Sequence, residues 1–216
     1  MDSLAQRLRD LNAFLPLGSF DALLPLFRQH SIHLTITRAR KTRRGDYRAP
    51  APGKHDHRIS VNGNLHPYAF LLTLLHEIAH LQVYESHNRS VRPHGPEWKK
   101  AFGVLLFAFA DKGIFPQPLE AAVRKAAASP ASATCYDPEL SRALRAYDPE
   151  EQALPLAETL PVGAVFKASD GHHYTVLERR RSRLRCRRLK DGREYLVSFL
   201  SEVEIIQLPS QKGAVT

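Results

Sequence analysis

Apolar residues recur along this chain first at helical spacing and later in strict alternation, and that change of rhythm organises its reading. Leu4, Leu8, Leu11 and Phe14 or Leu15 fall on one face of a first helix. Leu23, Leu24, Leu26 and Phe27 mark a second, from about Asp21 to His30, with Pro25 expected in its first turns, where a missing N–H costs little. Ile32 to Thr37 is β-branched and alternating, so it predicts a strand. The basic stretch Arg38 to Arg48 continues that strand or pairs with it through a turn at Gly45. Residues 49–57 form a Pro- and Gly-rich loop, Arg58 to Val61 a further strand, and Asn62-Gly63-Asn64 a turn. A nearly continuous apolar run from Tyr68 then predicts a long buried helix. Pro96 to Asp111 predicts another, with Trp98, Phe102, Leu105, Leu106 and Phe109 at helical spacing.

Leu119 to Ala128 reads as a short Ala-rich helix ending at Ser129-Pro130. Residues 129–160 mix Ser, Pro, Ala and acidic residues and read mainly as a linker, with a short helix over Asp137 to Tyr147 and a boundary near residue 155. Beyond Pro161 five short alternating segments appear: 163–168, 173–178, 183–189, 194–199 and 201–206. Asp170-Gly171 and Asp191-Gly192 are hairpin turns between them. The expectation is an α+β protein with a helical domain and small sheet at 1–128, a linker at 129–160, and a basic all-β module at 161–208. That module is either an SH3-like barrel or a degenerate zinc ribbon.

The candidate chemistry lies in the long helix. His76-Glu77-Ile78-Ala79-His80 fits H-E-x-x-H. Side chains four apart share a helix face one turn above another, so His76 and His80 can offer two ring nitrogens to one tetrahedral ion. Glu77 projects beside them, where a carboxylate reaches a water on the metal rather than the metal itself. The apolar flanks separate this from a chance match on an exposed helix. A hydrolytic zinc site takes three protein ligands and leaves one position open. Metzincin spacing would need Gly at 83 and His at 86 and a later methionine turn; the chain has Val83 and Ser86, and Met1 is its only methionine. Glu97, His87 and His94 remain. His94 is favoured, because it follows a polar loop and precedes Gly95-Pro96, where a second helix can start. Tyr47, Tyr84 and His87 are candidates for stabilising an oxyanion. His55 and His57, close together in a loop, are not read as a second metal site.

His76-Glu77-x-x-His80 followed by His94-Gly95-Pro96-Glu97-Trp98 resembles the SprT-like metalloprotease domain, the group that includes the Spartan-type proteases acting on DNA–protein crosslinks. Thr42 to Arg48 and Ile59 to Asn62 also resemble that family's strand-and-turn segment. The resemblance spans roughly Leu4 to Lys125. It implies a zincin-like metalloprotease domain, with His76, His80 and His94 as ligands of one zinc ion and Glu77 as general base. Such proteins often carry a cysteine-ligated zinc ribbon after the protease domain. Here Cys186 stands alone in that region, so that element is absent or without its metal.

Charge narrows the partners. The 216 residues carry a net charge of +9, and it is unevenly spread. Residues 38–58 hold eight basic residues against two acidic, and residues 161–216 hold eleven against six, whereas the metal motif lies in a slightly acidic segment. Two concentrated basic stretches suggest a polyanion. The candidate nucleic-acid contacts are Arg38, Arg40, Lys41, Arg43 and Arg44 in the first, and Arg180, Arg181, Arg183, Arg185 and Arg187 in the second. On a strand Arg183, Arg185 and Arg187 form one row suited to phosphates, binding single- or double-stranded DNA without reading sequence. A charged face that guards a sheet edge is the plainer reading of the same row. Two distant cysteines argue against a disulfide scaffold. The polar start of the chain is not a signal peptide and no apolar run has membrane-spanning length, so a cytoplasmic protein is expected, free or associated with the nucleoid. The expected function is zinc-dependent hydrolysis of peptide bonds in DNA-associated proteins. Its rivals are a zinc-containing DNA-binding protein that does not cleave, which would have no use for Glu77, and a peptidase unrelated to DNA.

Overall fold

The computed structural model describes residues 8–40, 43–88, 90–130, 137–148 and 154–209. They form an α+β protein whose chain divides into two compact units, Met1–Tyr147 and Asp148–Thr216.

In the first unit a 3-10 turn, Arg9–Phe14, precedes helix α1 (Ser19–Gln29), which starts from Gly18 at φ 80°. Residues 4–7 of the expected first helix lie outside the described residues. Pro25 stands inside α1 rather than in its first turns. Pro25 and Asp21, four residues before it, are both on the exposed side, so the carbonyl left without an N–H faces water.

Strands β1 (Ile32–Thr37), β2 (Gly45–Arg48) and β3 (His57–Asn62) make a sheet in the order β1-β3-β2. β1 runs parallel to β3 and β2 antiparallel to it. The stretch before Arg48 therefore pairs with β3 instead of β1, and Gly45 begins a strand instead of making a turn. The reason is packing. His57, Ile59 and Val61 are buried, so β3 takes the centre, and β2 is left as an edge.

The buried face of the sheet meets helix α2 (Pro67–His87), which begins at His66 with Pro67 in the first turn. α2 is apolar nearly all round, with Phe70, Leu71, Leu72, Leu74, Leu75, Ile78 and Leu81 fully buried. Such a helix belongs in a core rather than on a surface. Helices α3 (Pro96–Ala110) and α4 (Leu119–Ala128) complete that core through Trp98, Phe102, Leu106, Leu119 and Val123. Helix α5 (Pro138–Arg145) joins it too: Leu140 and Leu144 are buried there, and Lys125 pairs with Glu139. Residues 137–147 are thus part of the first unit, not linker. Two leucines four apart are enough to dock one short helix face, a weak signal inside a Ser/Pro/Ala-rich segment. Residues 131–136 and 149–153 lie outside the described residues.

The second unit is a five-stranded antiparallel sheet, β4 (Val165–Ala168), β5 (His173–Arg179), β6 (Arg183–Arg188), β7 (Glu194–Ser198) and β8 (Val203–Gln207), in the order β7-β6-β5-β4-β8. Gly171 at φ 81° and Gly192 at φ 72° make the two expected hairpin turns, each beside an aspartate that accepts backbone N–H groups. Phe166, Tyr174, Val176, Leu184, Cys186 and Val203 fill its core, together with Ala157 and Leu160 from the segment before β4. Cys186 is a buried apolar filler, and burial pushes its thiol up to about 11. Among the described residues no helix is long and apolar enough to cross a membrane.

Candidate active site

His76 and His80 project from one face of α2, one turn apart. His94 comes from the loop that joins α2 to α3. That loop leaves α2 at Asn88 (φ 52°) and reaches His94 at φ 58°, a left-handed conformation costly for a side chain with a β-carbon. Gly95 follows, where an added β-carbon would lie 2.9 Å from the Arg92 carbonyl oxygen. The tight left-handed step turns the imidazole back toward α2. The Nε2 atoms lie 3.2 Å apart for His76 and His80, and 3.1 Å apart for both pairs made with His94.

A closed triangle of three such nitrogens cannot be satisfied by hydrogen bonds alone. In a neutral ring Nε2 either donates or accepts, and one proton cannot serve two sides of the triangle. Three lone pairs converging on one point suit a cation, and among the described residues this is the group of metal-ligating side chains that could hold one. Burial pushes His76 down to about 3 and His80 down to about 4, with the neighbouring imidazoles pressing the same way, and it lowers His94 as well. All three rings are therefore neutral at pH 7, the form that ligates. Trp98 forms the floor, its ring 4.6 Å from His76 and His94 and 5.4 Å from His80, centroid to centroid. Phe102 stacks behind it.

Glu77 is held from the sheet side. The backbone N–H of Tyr47, on the edge strand β2, donates to its carboxylate. Gly45 lets β2 come this close: a β-carbon there would meet Glu77 Oε1 at 2.5 Å and Thr73 Cγ2 at 2.7 Å. Burial pushes the Glu77 carboxyl up to about 8, the Asp46 carboxylate adds to the rise, and Arg40 and the Tyr47 N–H oppose it. A cation among the imidazoles would draw it down again.

These groups line one cleft of about 970 Å³, with Tyr47, Tyr84 and the arginines 43, 44, 48, 58 and 92 on its walls. His87 and Glu97, the other candidate ligands, are not in the nitrogen cluster. Among the nucleic-acid candidates, Arg43 and Arg44 reach the cleft. Arg43 is paired with Asp46 at 2.7 Å, and Arg48 shares that carboxylate at 2.9 Å. Burial works to raise Asp46, but the two guanidiniums hold it below its usual range. Arg40 is taken up structurally, donating to Asn62 Oδ1 at 2.8 Å and Ser60 Oγ at 3.0 Å. Arg38 is exposed at the end of β1, and Lys41 lies outside the described residues.

In the second unit the Arg183, Arg185 and Arg187 row faces outward while Leu184 and Cys186 face the core. Much of its charge is answered locally. Arg185 pairs with Glu178 at 2.9 Å and Glu194 at 3.3 Å, Arg187 with Glu194 at 3.5 Å, and Arg180 with Glu178 at 3.6 Å. Arg181 and Arg183 show no ion pair among the described residues.

Sequence reasoning did not assign Gly45, Arg58, Arg92 or the role of Trp98 as floor. Gly45 gives no cue, because what requires glycine there is a helix far along the chain rather than a turn.

A family model described as SprT-like matches residues 21–105. Neither a curated protein nor a solved structure matches the chain. The matched segment holds the whole three-stranded sheet, the helix with His76, Glu77 and His80, the His94 loop and most of α3, and over these residues the chain is similar to the SprT-like family, whose domains are generally of metalloprotease type.

Proposed function

We propose that the protein is a zinc-dependent metallopeptidase with a zincin-like site, acting on proteins associated with DNA. One observation carries the reading: three imidazole nitrogens 3.1–3.2 Å apart with a buried carboxylate held beside them at an edge strand. Tetrahedral zinc with Zn–N bonds of about 2.0–2.1 Å asks for nitrogens about 3.3 Å apart, so the cluster fits that ion with little adjustment. Zinc held by His76, His80 and His94 supplies Lewis acidity toward a carbonyl and toward water.

The remaining work falls to the chain. Glu77 accepts a proton from the attacking water and delivers it to the leaving amine, and its place between Tyr47 and α2 keeps it from swinging away. The outer edge of β2 is an extended backbone beside the cleft, suited to align a peptide in extended form. Trp98 and Phe102 shield the ligands from bulk water, which strengthens every charge interaction inside.

DNA association rests on the arginines that rim the cleft beside the histidine cluster. Phosphate contacts of this kind weaken steeply as salt rises.

The test is zinc content together with cleavage of a DNA-bound protein, with and without DNA, at two salt concentrations. Glu77→Gln should keep zinc and lose cleavage by at least about 100-fold, while His80→Ala should lose both. Cleavage retained by Glu77→Gln would overturn the base assignment. Cleavage and binding indifferent to DNA and salt would remove the DNA part and leave a peptidase.

A further inference from the structure

A line of polar side chains leads away from the histidine cluster. Tyr47 Oη lies 2.9 Å from His57 Nδ1, and His57 Nε2 lies 3.3 Å from Glu85 Oε1. Glu85 Oε2 in turn lies 2.8 Å from His30 Nδ1 at the end of α1, close but not aligned as a hydrogen bond. His57 and His30 are buried, and Glu85 sits on α2, beyond His80.

The direction of the hydrogen bonds follows from chemistry. A carboxylate only accepts. Burial lowers His57 despite the pull of Glu85, so the ring is neutral at pH 7. Its single proton then belongs on Nε2, facing Glu85. Nδ1 is bare, and the Tyr47 hydroxyl donates to it.

Tyr47 also touches the catalytic side. Its backbone N–H donates to Glu77, and its ring lies parallel to that of His80, 6.4 Å away at 6°. A phenylalanine would pack in the same place. The hydroxyl, the imidazole and the carboxylate add a fixed orientation that packing alone does not give.

Resting on the peptidase reading, we propose that Tyr47 is a positioning residue for Glu77, and that the Glu85–His57 pair sets its place. The pair locks the hydroxyl, the hydroxyl fixes the ring and strand, and the strand N–H holds the carboxylate. The ligand cluster is not part of this relay.

Tyr47→Phe removes only the hydroxyl, and Glu85→Gln replaces an obligate acceptor with a group that can also donate. Each should lower kcat about tenfold with KM and zinc content unchanged, and the double variant should be no worse than either single one, because all three break one line. Nitrogen NMR of the 216-residue zinc protein should find His57 as the Nε2–H tautomer in the wild type and a changed tautomer population in Glu85→Gln, with the Tyr47 amide proton shifting in the same variant. Effects that multiply independently, a kcat within twofold of wild type for Tyr47→Phe, or an Nδ1–H tautomer in the wild type would each overturn the proposal. If the wild-type zinc protein cleaves nothing, the peptidase reading fails by itself. The NMR signals then decide the relay: a Tyr47 amide that ignores Glu85→Gln sinks it.

Discussion

Gly45 shows how narrowly the Glu77 carboxylate is placed. A single added methyl at this position would press on the carboxylate and on Thr73 at once, and Thr73 is tied into α2 by a 2.7 Å hydrogen bond to the Ala69 carbonyl. Gly45→Ala should therefore push β2 off the helix, costing about 1–3 kcal/mol, as overpacking of a filled core does. A lowered urea midpoint with zinc content intact would show it, and cleavage should fall further than the folded fraction does. An unchanged midpoint would mean that the strand has room to move. At this scale the three-histidine cluster was legible, because a helix fixes the spacing of His76 and His80 and Gly95-Pro96 announces the turn beside His94. Gly45 and Arg40 were not, since their partners are residues 20 to 32 positions away in the chain.

Helix α2 concentrates two demands that sequence patterns separate poorly: it must be apolar enough to fill a core and must carry ionisable side chains there. The long apolar run made its existence plain, and the alternation of β1 and β3 made the strands plain. The order of the sheet was not, because periodicity says which face of a strand is buried but not which neighbour it takes. Burial of these histidines has a measurable consequence in the metal-free protein. The unfolded chain takes up protons on these histidines near pH 6.5, whereas the folded helix holds His80 unprotonated to about 4 and His76 to about 3. Depressed basic groups leave stability intact above pH 6.5 and drain it as pH falls below that value. Each such imidazole contributes a slope of up to ~1.4 kcal/mol per pH unit. Denaturation midpoints in the presence of a chelator should drop between pH 7 and pH 5. A flat profile would mean that the rings are already hydrated in the folded state.

Among the described residues, two cores that share no side chain support two separate folding units. Calorimetry should show two transitions, and metal should raise only the one that belongs to the first unit. A single transition that moves as one with added zinc would contradict that independence. The change from helical to alternating rhythm foretold the second sheet, while the docking of α5 on the first core was hidden by the Ser/Pro-rich residues around it. The edge strand β2 has one more consequence. A border that can pair with a passing peptide can pair equally well with the same border on another molecule, and such pairing is how sheets begin to stack into aggregates. Guanidiniums crowd this border, so two copies meeting there would set like charge against like, while an anionic chain would be drawn in. Salt shortens the reach of that repulsion to about 8 Å or less. Concentrated salt should then make the protein stick to itself.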